Sequence, residues 1–327
     1  MAYLLDVAAE AYFPLAPHHT FGRLANSVDT HIDKPYISKL HAAIEWNGMH
    51  WRIKNLGLNG TWINGEPMAQ GEVRELQLND EIVLAAQNDP GFRVVNLNAP
   101  CDMLWPLNCS LEQTPPIYLT QYHLLPDNDT PELAIYWDDQ AQQWLLEPIE
   151  PQIEHHSEPH ALNNGDLVQF ASSHWQLVRA YIYGPTEAKS PRHLNDFEFV
   201  FNLSLDEETT QLELRQQQVL DLAVRTHHYL LLQLARHRSE DAARGLDSKS
   251  QGWVYAEQLA AELGLDSTHM NIQIFRARKQ LADALPDALG QQCLLERRGG
   301  KIRFGCEKFK IYKGNQLTAA APVQADQ

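Results

Sequence analysis

The sequence predicts a multidomain protein: an all-β sandwich over residues 1–98, a second β domain over 99–182, a linker over 183–196, an α+β domain over 197–313 and a flexible tail over 314–327. Three observations carry this. Short runs alternate apolar and polar positions from residue 3 to 97, broken at Gly, Asn, Asp and Pro; residues 101 to 182 repeat that pattern; and after 197 the apolar period lengthens to that of helices. A chain of 327 residues, 44% hydrophobic and 21% charged, is long enough to build two or three separate cores and has the composition of a soluble globular protein.

In the first segment, Trp51-Arg52-Ile53-Lys54 and Glu81-Ile82-Val83-Leu84 alternate as strands of an antiparallel sheet do. Between the strands stand Thr20-Phe21-Gly22-Arg23, Ser38-Lys39-Leu40-His41, Asn59-Gly60-Thr61 and Asn64-Gly65. A phosphate dianion is best held by a planar guanidinium that donates two parallel hydrogen bonds, with a hydroxyl and an ammonium completing the shell. Arg23, Ser38 and Lys39 supply those groups, while Gly22 and Gly60 suit tight turns and Asn59 can hydrogen-bond a ligand's backbone.

These motifs, in this order, resemble the forkhead-associated (FHA) domain. The resemblance implies a β-sandwich whose loops bind phosphothreonine peptides, with Arg23, Ser38 and Lys39 on the phosphate, Asn59 on the peptide main chain and His41 bracing the loops from inside. One departure is that Asn55 and Gly57 stand where the family often has an acidic residue and a serine.

The second segment reads as an internal repeat. Ala43-Ile44-Glu45-Trp46 recurs as Ala134-Ile135-Tyr136-Trp137, each followed by a second tryptophan, Trp51 and Trp144. In that alignment Asp129 stands for Ser38 and Glu132 for His41, no Gly-Arg pair precedes them, and the stretch from Pro148 to His160 replaces the Asn-Gly-Thr loop. The copy is expected to be a degenerate FHA-like domain used for packing or dimerisation. Its Glu154-His155-His156 cluster, with Glu158 and His160, is expected to be a solvated loop rather than a metal site.

From 197 onward, Phe199 to Leu205 and Thr209 to Leu214 alternate as strands. Helical patterns follow over Val224 to Arg238, Val254 to Leu263 ending at Gly264, and Thr268 to about Ala284 behind a Ser267 cap. A hairpin from Leu294 to Phe304 turns at Gly299-Gly300. Met270, Ile274, Ala277 and Leu281 share one face of the third helix and are expected to be core; His269, Gln273, Arg276 and Gln280 share the next, with Asn271 and Lys279 at its margins.

Strands, three helices and a basic hairpin in this order resemble the OmpR/PhoB-type winged helix-turn-helix domain. The stretch Met270 to Leu281 is similar to its recognition helix, although Ala277 replaces the usual leucine, and Glu296 to Phe304 is similar to its wing. The resemblance implies double-stranded DNA as a partner, with His269, Asn271, Gln273, Arg276 and Lys279 reading bases and Arg297, Arg298, Lys301 and Arg303 meeting phosphate and the minor groove.

The charge distribution agrees with that division. Of the net −16, residues 1–196 hold 10 Lys+Arg against 25 Asp+Glu and residues 197–313 hold 16 against 16, while residues 296–313 alone hold seven basic side chains against two acidic. Cys101, Cys109, Cys293 and Cys306 form no metal-binding spacing and are expected to be free thiols, with an oxidative Cys293–Cys306 cross-link across the hairpin as the minor alternative.

No apolar run is long enough to span a bilayer, and Met1 to Pro17 has no basic residue ahead of its apolar positions, so a cytoplasmic protein is expected. No Gly-x-Ser-x-Gly, phosphate-loop lysine, His-Glu-x-x-His or paired-carboxylate motif is present, so neither enzyme activity nor a cofactor or metal is expected.

The sequence reading is therefore a phosphothreonine-dependent transcription regulator. Its expected partners are DNA and a phosphothreonine-bearing kinase, kinase substrate or second copy of the chain in a homodimer, with Thr209-Thr210 as the self-recognition candidate. The alternative is a phosphopeptide-binding adaptor for kinase signalling or a secretion assembly, whose winged helix docks protein.

Overall fold

The computed structural model describes residues 1–87, 89–108, 111–149, 159–180, 192–286, 288–289 and 291–321. Contacts group the chain into two units, one of residues 1–119 with 164–186 and one of residues 120–163 with 187–327, so the 99–182 segment contributes to both.

In the first unit, one sheet runs in the spatial order Ala11–Pro14, Tyr3–Asp6, Phe92–Asn96, Glu81–Leu84, Thr61–Ile63, Glu66–Met68. A second sheet runs Thr30–His31, His18–Gly22, Ala42–Trp46, Trp51–Asn55, Val73–Glu75. Alternation along the strands sends Leu4, Ile82 and Val94 from one sheet and Phe21, Ile44 and Ile53 from the other into a single buried cluster, which makes the pair a sandwich.

Residues 103–178 form two four-stranded sheets, one in each unit. The first runs Ile117–Tyr118, Met103–Leu107, Ser173–Val178, Leu167–Phe170; the second runs Tyr122–Leu125, Leu133–Asp138, Gln143–Pro148, His160–Leu162. These orders repeat those of the first two sheets without the three short strands Thr30–His31, Thr61–Ile63 and Glu66–Met68. The repeated tryptophans hold equivalent places: Trp46 faces Trp51 across one hairpin with ring centroids 5.6 Å apart, and Trp137 faces Trp144 across the other at 5.4 Å. The loop cluster at 154–158 and Cys109 lie outside the described residues.

The remainder of the second unit has a five-stranded sheet in the order Val219–Val224, Thr210–Arg215, Glu198–Leu203, Phe309–Lys313, Gln316–Ala321. Three helices, α1 (Thr226–Ala243), α2 (Ala256–Leu263) and α3 (Ser267–Ala284), precede a hairpin of Leu295–Arg298 and Lys301–Phe304. That hairpin turns at Gly299 and Gly300, with φ of 56° and 73°, and pairs Arg298 with Lys301.

Several boundaries differ from expectation, each for a local reason. Val254–Tyr255 is a strand rather than the start of α2, because Val254 pairs with Ile302 of the hairpin. Asp266 rather than Ser267 caps α3, its Oδ1 accepting the His269 N–H at 2.8 Å. The end of the linker is ordered, with Arg192–His193 pairing with Ala288–Leu289 and Leu194 buried in the core. Within the tail, Gln316–Ala321 is a strand on Phe309–Lys313. Cys293 and Cys306 are free, the hairpin pairing stopping at Leu295 and Phe304 before it reaches them. Among the described residues no helix is long and apolar enough to cross a membrane.

Candidate functional site: the sandwich loops and the third helix

At one end of the first sandwich three loops meet. Gly22 ends its strand where an added Cβ would lie 2.2 Å from the Lys39 carbonyl oxygen, so a side chain there would force the two segments apart. With glycine they stay joined: the His41 N–H donates to Phe21 O at 2.7 Å, Arg23 N–H to Ser38 O at 3.0 Å and Leu24 N–H to Lys39 O at 3.2 Å. This ladder places Arg23 beside Ser38 and Lys39. The third loop joins through Leu58 N–H, 3.3 Å from Ser38 Oγ, and through Asn59 Nδ2, which donates to Tyr36 O at 2.7 Å.

His41 is fully buried beneath these loops. Its Nδ1 accepts the Ser38 N–H at 3.1 Å and its Nε2 lies 2.8 Å from the Gly60 carbonyl, which can only accept. Those two partners fix the neutral Nε2–H tautomer, and burial holds the imidazole pKa below its ordinary value.

The two departures from the family pattern support the same core. Asn55 is buried, donating to Met68 O and Ala69 O and accepting from Gly57 N–H and Thr61 Oγ1 at 3.0 Å each. Gly57 leaves room for the His41 ring, whose Cε1 would be 2.4 Å from a Cβ at that position.

Among the described residues, Arg23 spends only Nε inside the protein, on Ile37 O at 3.2 Å, and Lys39 has no ion pair. A guanidinium with both terminal nitrogens available, an adjacent ammonium and the Ser38 hydroxyl form a shell suited to a dianion. Asn59 offers its side-chain oxygen to a ligand's main chain, its Nδ2 being occupied. Sequence reasoning missed the apolar rim: Leu24, Leu40, Leu58 and Tyr36 are all exposed on these loops, Leu58 by 81%.

The residues expected on DNA lie in the second unit. Met270, Ile274, Ala277 and Leu281 are buried in the core as the helical spacing requires. The neighbouring face is engaged. Arg276 donates from Nε and Nη2 to Asn128 O at 3.0 and 2.7 Å. Asn271 reaches Ile149 O at 3.4 Å and accepts from Arg297, which also pairs with Glu147 at 3.3 Å. Gln273 meets Thr226 at 3.3 Å, Lys279 pairs with Asp283 at 3.0 Å and His269 with Asp266 at 2.7 Å. Gln280 is turned inward onto His227 and His228.

In the hairpin, Arg303 turns back to Glu296 at 2.7 Å and stacks over Trp253, whereas Arg298 is exposed and Lys301 lies over the Tyr255 ring at 4.6 Å. Lys310 and Lys313 are neutralised by Glu198 and Glu207. Of the self-recognition pair, Thr210 is buried and Thr209 exposed.

Residues 19–85 match the family model described as FHA domain, and this stretch is an FHA domain. No curated protein matches the chain. Solved structures similar to 30% of it include the MEK1 FHA domain in complex with a HOP1 phosphothreonine peptide, at 21% identity over 97% of that chain with a TM-score of 0.26. Another is Mycobacterium tuberculosis EmbR in complex with a low-affinity phosphopeptide, at 28% identity and a TM-score of 0.27, where the match spans a quarter of that chain (25%). A third is the amino-terminal FHA domain of S. cerevisiae Rad53p with a phosphothreonine peptide, at 20% identity over 93% of that chain and a TM-score of 0.26.

Proposed function

We propose that this chain binds phosphothreonine peptides through its FHA loops and is a binding protein rather than an enzyme. The observation that carries the reading is the junction of Arg23, Ser38 and Lys39 across the Gly22 ladder, with cationic nitrogens unspent among the described residues. The rim of Leu24, Leu40 and Leu58 favours peptides with apolar residues flanking the phosphothreonine. Titrating the full chain against fluorescent peptide pools carrying phosphothreonine, phosphoserine or threonine tests this. Selective binding of the phosphothreonine pool supports it; equal or absent binding removes it.

For the output of that signal, we infer that residues 197–313 form an OmpR/PhoB-type winged-helix domain that binds DNA, making the protein a phosphothreonine-dependent transcription regulator. Three helices ending in a basic hairpin, with Arg298 and Lys301 outside any ion pair among the described residues, support that reading. One observation favours the adaptor instead: Asn271 and Arg276 of α3 and Arg297 of the hairpin already bind protein groups, as a helix and hairpin that dock protein would. Salt dependence separates the two, since DNA binding that releases counterions weakens steeply with salt.

A further inference from the structure

We propose that the sheet of Tyr122–Leu125, Leu133–Asp138, Gln143–Pro148 and His160–Leu162 masks α3, keeping DNA binding latent until the sheet moves aside. The inference rests on the DNA-binding reading of residues 197–313.

Helix α3 has two buried faces where a free recognition helix needs only one. Beyond the core face, Phe275 and Ala282 are buried against Tyr122, Leu124 and Tyr136 of the sheet. The polar groups between these apolar contacts are the ones assigned to DNA. Arg276 is held by Asn128 O, Asn271 by Ile149 O, and Arg297 by Glu147, which also lies 3.6 Å from the buried Arg278. A phosphate or base edge would need the same donors, so the sheet and DNA compete for one surface.

Charge reinforces the competition. The described residues 120–149 and 159–163 carry six Asp and Glu and no Lys or Arg, so the charge of the mask is of one sign and complements Arg276, Arg278 and Arg297, which it contacts. The contact is also built to part. Its buried centre is polar rather than apolar, Tyr122 and Arg278 bonding each other across it with Glu147 3.6 Å from Arg278, and such a centre depends on every partner staying in place. A cleft of about 380 Å³ remains between Trp137 and Trp144 on the sheet and Ala282 and Asp283 on the helix.

Glu147→Arg in the full chain tests the mask from the sheet side, by setting a third cation beside Arg278 and Arg297. Two quantities are measured: labelling of a thiol introduced by Ala282→Cys, located by mass spectrometry, and anisotropy of a random fluorescent duplex pool at low salt. Expected is slow labelling and weak DNA binding without Glu147→Arg, and a rise of tenfold or more in both with it. Glu147→Gln gives the same direction with a smaller rise and carries the comparison if the arginine variant does not fold.

Three outcomes overturn the inference. Labelling that rises while DNA affinity is already high and does not change leaves the DNA reading intact and removes the mask. Labelling that rises with no DNA binding in any variant removes the DNA reading, and the mask with it, in favour of protein docking. Labelling that is already fast without Glu147→Arg shows that the sheet does not cover α3 and removes the mask.

Discussion

His41 and Gly57 occupy one volume: the imidazole Cε1 lies where a side chain at position 57 would begin, 2.4 Å from an added Cβ. The ring cannot retreat, because Ser38 N–H and Gly60 O hold its two nitrogens. Gly57→Ala is therefore an overpacking change in the brace of the binding loops, costing about 2 kcal/mol. It should lower phosphothreonine-peptide affinity at least tenfold in calorimetric titration although Arg23, Ser38 and Lys39 are untouched. Unchanged affinity would mean that the loops do not depend on the brace.

Arg23 should not be replaceable by lysine. Its Nε is committed to Ile37 O, which orients the plane of the guanidinium, and a lysine lacks both that anchor and the second parallel donor. Arg23→Ala should weaken phosphopeptide binding about 30- to 100-fold, in line with roughly 2–3 kcal/mol for a charged hydrogen-bond pair. Arg23→Lys should recover less than half of that loss in free energy. Binding of the unphosphorylated peptide should change in neither variant.

Asn55 should prove as important to stability as any apolar residue of its sheet. Asn55→Ala leaves Gly57 N–H, Thr61 Oγ1 and the Met68 and Ala69 carbonyls short of a partner in a buried site. The expected cost is about 3 kcal/mol. Faster amide exchange across 42–46 and 51–55, measured by mass spectrometry, checks it.

The candidate FHA site could be drawn from the sequence because its residues lie in short motifs: Gly22-Arg23, Ser38-Lys39 and Asn59-Gly60 are each contiguous in the chain, and pattern alone orders them. What escaped reading depends on distant residues meeting. Asn55 looked like a departure from the family until its four partners, from positions 57 to 69, appeared around it. The helices of the third segment were visible in their apolar spacing, yet Val254 became a strand because Ile302 pairs with it from 48 residues away. The second buried face of α3 had a trace in the sequence, since Ile272, Phe275 and Ala282 fall on one side of the helix. Only the sheet packed there distinguishes that stripe from an exposed one.

Acid should loosen the FHA domain. Burial pushes the His19 pKa down to about 4, against the pull of Asp29, and holds His41 below its ordinary value. Both rings accept a backbone N–H at Nδ1, from Ala16 and Ser38, so protonation there sets donor against donor. An unfolded chain protonates these rings near pH 6.5, so between pH 6.5 and 4 it binds more protons than the folded one, and stability falls with falling pH. Above pH 6.5 the contribution is complete; by pH 5 the loss should be on the order of 1–2 kcal/mol. Amide exchange of residues 18–22 and 42–46, corrected for intrinsic rates, should accelerate over that window. His41→Gln should flatten part of the dependence.

The hairpin should contribute phosphate contacts rather than sequence selectivity. Arg298 is exposed and Lys301 rests on the Tyr255 ring, while Arg303 is held by Glu296 and the carbonyls of Ser248 and Lys249. With the mask opened by Glu147→Arg, Arg298→Ala and Lys301→Ala should each weaken binding to all duplex sequences alike and lower the slope of log affinity against log salt by about 1. Arg303→Ala should leave that slope unchanged and instead destabilise the 248–251 loop. A slope that drops with Arg303→Ala but not with Arg298→Ala would mean that the hairpin meets DNA by its other face.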